Sequence, residues 1–270
     1  ARAARAVALT ASFTCLALAV PVMAAPAAPV DRAWRFEVIA RDSRVGRAML
    51  AIGTGQRVGK RTLREVRVDA KTDDLAATFF RGSTSSSTWI DEQGLPTQAK
   101  WNAKIYKERR VAEARFEDGR MRASFLRTGR KDRRYDMPVA AGTHDLISLL
   151  PWLMAQPAAA GATFSTVAWT GMELCKIEAK VGPVETIRVP FGERSAWPIR
   201  VTMGGCKTGR GFAVWIDAAD HSPQRMQLIW GVLGEIDIVL VGRMGGEKMG
   251  AENMGAEQKR AAPAGRIAKR

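Results

Sequence analysis

Apolar and polar residues alternate through most of the middle of this chain. Trp34, Phe36 and Val38 share one parity, with Arg35 and Glu37 on the other. Leu63, Val66 and Val68 follow in an extended run with basic residues between them. The same period returns at Trp197, Ile199, Val201 and Met203, at Phe212, Val214 and Ile216, at Met226, Leu228 and Trp230, and at Ile236, Ile238 and Leu240. A repeat of two puts one set of side chains on one face of a strand, so these runs predict half-buried strands. Gly46, Gly53-Thr54-Gly55, Asp91 to Gly94 before Pro96, Gly204-Gly205, and the segments 207–211 and 217–223 supply the turns between them. Residues 78–88 are rich in Ser and Thr, which predicts a strand with one wet face. Asp118-Gly119 joins two alternating runs, and Gly accepts the positive φ of a type I′ turn, so a tight hairpin is predicted there.

One segment breaks the rhythm. Thr143 to Met154 is dense in leucine and predicts one short helix near 144–154, with Thr143 or Asp145 accepting backbone N–H bonds at its start and Pro151 ending or kinking it. The fold class expected is mainly all-β: an antiparallel curved sheet, half-barrel or barrel, carrying that helix.

The two ends read differently. Arg2 and Arg5 precede an apolar run over 6–20 and small residues up to Ala24. That order is a cleavable secretory signal over 1–24, too short in its apolar part to span a bilayer of roughly 20 residues comfortably. Residues 25–32 read as a linker, 33–242 as the antiparallel β domain, and 243–270 as a disordered basic tail with almost no large apolar residue. Export would place the mature chain in the periplasm or outside the cell.

The net charge of +15 invites a nucleic-acid reading. The basic residues spread along the chain and alternate with apolar ones, as on solvent faces of strands, and export separates the protein from nucleic acid. No nucleic-acid partner is expected; peripheral attraction to anionic membrane or polysaccharide is the partner class that the charge favours. Cys15 leaves with the signal. Cys175 and Cys206 remain as a candidate disulfide in an oxidising compartment, or else as two small buried hydrophobes.

The only two histidines, His144 and His221, form no His-Glu-x-x-His pair, and neither a Gly-x-Ser-x-Gly elbow nor a phosphate loop occurs. His144-Asp145 and the group Asp217, Asp220 and His221 would have to combine to make a metal or acid–base site. Capping and turn formation explain each group without chemistry. The acidic pairs Asp73-Asp74 and Asp91-Glu92 also sit in turn contexts. No catalytic residue, metal ligand or cofactor is expected. Eight tryptophans are spread over the β region. They suit core packing, or a concave aromatic surface for an acyl chain or sugar, although Trp215 opposes Phe212 and Val214 in parity.

Several motifs in order resemble one family. Trp34 to Leu50 resembles the opening strand pair of the exported family called domain of unknown function 3108. Residues 87–96, STWIDEQGLP, look like its central strand and turn, and 142–148, GTHDLIS, like its Asp-Leu-Ser helix start. Val189 to Glu193 and Phe212 to Arg225 resemble its apolar-Pro-x-Gly turn and closing strand. Gln224 stands where an apolar residue is expected, and Trp152 departs from the family's aromatic-then-arginine pattern. The resemblance covers roughly 33–242; it implies export and an antiparallel β fold, and transfers no catalytic residue. The function expected is that of an exported, non-enzymatic protein that binds an apolar or amphipathic envelope component, such as a lipid or a lipoprotein acyl chain, with 146–153 lying across the mouth of the sheet. The alternatives are an assembly partner for envelope proteins or anionic polysaccharide, and a hydrolase whose site carries none of these signatures.

Overall fold

The computed structural model describes residues 30–73, 81–156, 159–207, 211–230 and 234–245. The segment read as a signal, 1–24, and residues 246–270 of the segment read as a tail lie outside them. The strands are β1 (Val30–Ala40), β2 (Ser43–Gly53), β3 (Gln56–Val58), β4 (Arg61–Thr72), β5 (Gly82–Ile90), β6 (Pro96–Ile105), β7 (Glu108–Glu117), β8 (Arg120–Arg127) and β9 (Arg133–Pro138). Then come β10 (His144–Asp145), helix α1 (Leu149–Ala155), β11 (Thr163–Trp169), β12 (Leu174–Val181), β13 (Glu185–Val189), β14 (Gly192–Gly204), β15 (Phe212–Asp217), β16 (Pro223–Trp230) and β17 (Gly234–Gly245). β1 thus begins within the segment read as a linker, and β17 runs three residues into the segment read as a tail.

All of these strands join one sheet. Its ladders run β9-β8-β7-β6-β5-β4-β2-β1-β17-β16-β15-β14-β12-β11-β10, with β3 beside β4 and β13 beside β14. Every pairing is antiparallel except β10 with β11. Among the described residues no ladder joins β9 to β10, so the sheet is curved and open rather than a closed barrel. It is rolled far enough to bring distant strands together: the Thr88 hydroxyl on β5 donates to the Asp145 carboxylate on β10 at 2.6 Å.

The predicted hairpin is there. Asp118 and Gly119 both have positive φ, 50° and 70°, and Glu117 pairs with Arg120 across the turn. The same backbone recurs between β1 and β2 at Arg41 and Asp42, with φ of 49° and 59° and no glycine to announce it. Pro198 lies inside β14, where the neighbour of that strand changes from β13 to β12 and a ladder N–H is least needed.

Inward-facing residues of both halves of the sheet and of α1 form one core. Trp34, Phe36, Leu50, Ile52, Val66, Ile177, Val201, Val214 and Leu240 pack in a single cluster with Leu149, Leu153 and Met154 of α1. A second cluster under β6–β8 is built from small residues, Ala99, Ala112, Ala114 and Ala123, against Met121, Phe125 and Trp169. On the outer face Ile187, Val189 and Ala196 pack with Trp215 and Val239.

The helix lies inside the roll. It is therefore apolar on nearly every side, as a core helix must be. Pro151 neither ends nor kinks it: α1 starts only at Leu149, so Pro151 falls in the first turn, where backbone N–H groups have no intrahelical acceptor. The strand rich in Ser and Thr has one wet face, as its composition predicts. β5 exposes Ser83 and Ser85 but turns Ser86 and Thr88 into the interior, where both are buried. Leu153→Ala is expected to cost about 3 kcal/mol, because it leaves a hole at the centre of this core; a urea midpoint unchanged from wild type would show that α1 contributes little.

Candidate functional site

A cleft of about 820 Å³ lies between α1, the β5–β6 turn and strands β11, β12 and β14. Strand register builds its floor. Thr166 stands opposite Ile177, and Ile177 opposite Met203, in one row across three strands. Trp152 of α1 and Leu95 of the turn supply apolar walls, and His144 lies at the bottom. The Asp91 carboxylate shapes the turn by accepting the backbone N–H groups of Gln93 and Leu95, each at 2.9 Å. Asp91-Glu92 is thus a turn device, and Asp73 is held by Arg44 and Arg47; Asp74 falls outside the described residues.

Below the cleft sits a buried polar cluster. Asp145 caps the turn leading into α1, its Oδ1 accepting the Ser148 N–H at 2.9 Å. Thr143 does not share that task; its hydroxyl donates to the Ala140 carbonyl. The Ser148 hydroxyl accepts the Asp145 N–H at 3.1 Å and lies 3.2 Å from His144 Nδ1. Burial pushes the Asp145 carboxyl above its usual range, and hydrogen bonds from Ser148, Thr88 and Ile147 pull it back. Burial lowers His144 to about 4, against a smaller opposing effect of the Asp91 charge, so the ring is uncharged at neutral pH. Its ring centroid is 5.5 Å from that of Trp152.

His144, Asp145 and Ser148 are the residue types of a hydrolytic triad but not its arrangement. Asp145 orients the Ser148 backbone rather than the imidazole, and Ser148 is completely buried.

His144 and His221 do not converge. His221 Nδ1 lies 3.2 Å from the carbonyl of Met154, at the far end of α1 from His144. The neighbouring carboxylates serve the turn: Asp217 accepts N–H bonds from Ala219 and Asp220, Asp220 accepts from Ser222, and Arg243 pairs with Asp220. Gln224, where an apolar residue was expected, is buried; its Nε2 donates to the Ser222 hydroxyl at 2.7 Å, while its Oε1 has no partner among the described residues. Cys175 and Cys206 are joined as a disulfide with Cα atoms 5.2 Å apart. Glu173 lies beside that pair, but sulfurs bonded to each other offer no thiolate to a metal.

The tryptophans divide. Trp34 and Trp169 are buried, Trp101 borders the alanine-rich cluster, and Trp197 borders the main core. Trp215 is on the outer face, its Nε1 donating to Glu185 and its ring 4.9 Å from the Arg225 guanidinium. Among the described residues, Trp152 is the one tryptophan that lines the cleft. Thr166, Met203 and Leu95 have no place in a site on sequence alone, because their positions around the cleft come from cross-strand register and loop placement.

A family described as a protein of unknown function, DUF3108, matches residues 34–241. The chain belongs to that family. No curated protein matches it. Among solved structures this DUF3108 chain resembles the β-barrel-like protein of domain of unknown function DUF1849 from Brucella abortus, at 12% identity, over 82% of this chain and 100% of that one, with a TM-score of 0.56. The likeness is one of fold. The hypothetical lipoprotein YmcC from Escherichia coli K12 aligns at 8% identity over 82% of this chain and 90% of that chain, with a TM-score of 0.30. In the DUF3108 chain His144, Asp145 and Ser148 of the His-Asp-Leu-Ile-Ser motif form the buried cluster beside the cleft, while Leu146 is exposed.

Proposed function

We propose that this DUF3108 protein is exported and non-enzymatic, and that it holds an apolar or amphipathic component of the cell envelope in the cleft beside α1. The observation that carries the reading is the cleft itself: Ile177 and Met203 continue the row from Thr166, and Trp152 and Leu95 wall it, with polar residues such as Gln93, Ser165 and Thr202 interspersed. A mixed lining of this kind suits a ligand with an apolar and a polar part. The rest of the interior is packed by α1, so the ligand lies beside the helix and not within the roll. The basic, apolar, small-residue order at the N-terminus supports export, and a disulfide suits an oxidising compartment.

Titration with the uncharged fluorophore N-phenyl-1-naphthylamine tests it. Saturable binding with Kd near about 10 μM is expected, weakened several-fold in Trp152→Ala. A linear, unsaturable response in the wild-type protein would end this reading.

A further inference from the structure

The outer face of β6–β9 carries a further concavity, on the side of the sheet away from the core. Strand register puts Gln98 opposite Arg115, Arg115 opposite Arg122, and Arg122 opposite Asp136 in one row. Two residues along, Glu113 stands opposite Ser124, and Ser124 opposite Arg134. Along β7 and β8 these side chains alternate with Ala112, Ala114, Met121 and Ala123, which are buried in the alanine-rich cluster, so they point outward. They border one depression of about 470 Å³, within the range of about 300–1,000 Å³ that ligand sites occupy.

Its charges do not cancel. Glu113 is held by Lys100 at 3.1 Å and Asp136 by Arg120 at 2.8 Å, so each carboxylate already has a cation. Arg122 reaches Asp136 only at 3.7 Å, with 70% of its side chain exposed. Arg115 and Arg134 are exposed and pair with no carboxylate among the described residues. Like charges directly opposite on neighbouring strands repel, and Arg115 faces Arg122 across the β7–β8 ladder. An anion between them removes that repulsion. Guanidinium groups suit a phosphate or sulfate, which they bind through paired N–H···O bonds.

The surroundings of the arginines decide between a sugar polymer and a lipid surface. Gln98, Ser124 and the two carboxylates stand among them. Glu113 and Asp136 repel a continuous layer of anionic lipid heads, but they accept hydrogen bonds from sugar hydroxyls. No exposed large apolar side chain lines the depression to enter a bilayer. We propose that this face of β6–β9 binds a phosphate- or sulfate-bearing polysaccharide, with the anion held between Arg115, Arg122 and Arg134 and the sugar hydroxyls against Gln98, Ser124 and the carboxylates. The site shares no residue with the cleft beside α1 and stands without it.

Titration of fluorescein-labelled phosphomannan with the purified full chain, read by fluorescence anisotropy, tests the proposal. Saturable binding is expected at about 50 mM salt, weaker by at least about tenfold at 0.5 M, with no competition from neutral mannan. The Arg115→Gln, Arg134→Gln variant is expected to bind at least about tenfold more weakly. Lys71 and Lys104 lie on the same face outside the depression, in register with Ser83 between them. The Lys71→Gln, Lys104→Gln variant loses the same charge and is expected to change binding by less than about twofold. Both variants should bind N-phenyl-1-naphthylamine as the wild type does, which separates this site from the cleft. Equal losses in the two variants would show diffuse charge attraction and overturn the site. Displacement of phosphomannan by phosphatidylglycerol vesicles as readily as by unlabelled phosphomannan would overturn it in favour of a membrane surface. Absence of phosphomannan binding would overturn it whatever the fluorophore does.

Discussion

Asp145→Ala is expected to destabilise the protein by about 3–4 kcal/mol, the largest effect of any single substitution outside the apolar core. The carboxylate is buried and receives the Thr88 hydroxyl at 2.6 Å and the Ser148 N–H at 2.9 Å, with a further backbone bond from Ile147. Alanine leaves these donors inside the fold without an acceptor, and each orphaned donor costs about 1–3 kcal/mol, relieved in part where water can enter. Two structural links fail together: the start of α1, and the tie between β5 and β10 across the roll. Asp145→Asn keeps one carbonyl acceptor and is expected to lose only about half as much. Equilibrium urea unfolding of the two variants measures the difference; a loss below about 1 kcal/mol for alanine would show that the donors find other partners.

Breaking the disulfide has an effect of similar size. Cys175 on β12 and Cys206 beyond β14 are 31 residues apart in sequence, and closing a loop of that length removes about 3–4 kcal/mol of chain entropy from the unfolded state. For a domain of this size that corresponds to a fall in Tm of about 10 °C. Alanine is the substitution of choice, because Cys175 is buried in the main core and serine would add an unpartnered hydroxyl. The Cys175→Ala, Cys206→Ala double variant should melt about 10 °C lower than the oxidised protein and be insensitive to reductant. Equal melting temperatures with and without reductant in the wild type would show that the β12–β14 ladder already holds this region.

Parts of this architecture were legible in the residues alone because they are local. Asp118-Gly119 specifies its turn by backbone chemistry, and the strand runs around Trp34 and Val214 reveal themselves by a period of two. The pair Arg41-Asp42 makes the same turn with side chains that disfavour it, at a cost of roughly 1–2 kcal/mol per residue in the left-handed region. No local rule announces it; the pairing of β1 with β2 imposes it. Composition predicts one wet face for β5 but not which residues lie on it; Ser86 and Thr88 take the buried face, where Thr88 has a partner 57 residues away in sequence.

Pro151 reads as a helix breaker only while the start of the helix is unknown. Once the Asp145 cap defers that start to Leu149, the missing N–H falls where none is required.

The sequence by itself determined the β class, the turns of glycine and proline, the leucine-rich helix and the pairing candidates among the cysteines, because periodicity, positive φ and residue chemistry act over a few neighbours. Only the tertiary structure decided that the sheet rolls without closing, that α1 fills the roll, that His144 and His221 go to opposite ends of that helix, and that Trp152 lines the cleft. Those outcomes depend on the register between strands distant in sequence and on which buried donor meets which acceptor. Such contacts are set by long-range packing, which alternation along the chain does not encode.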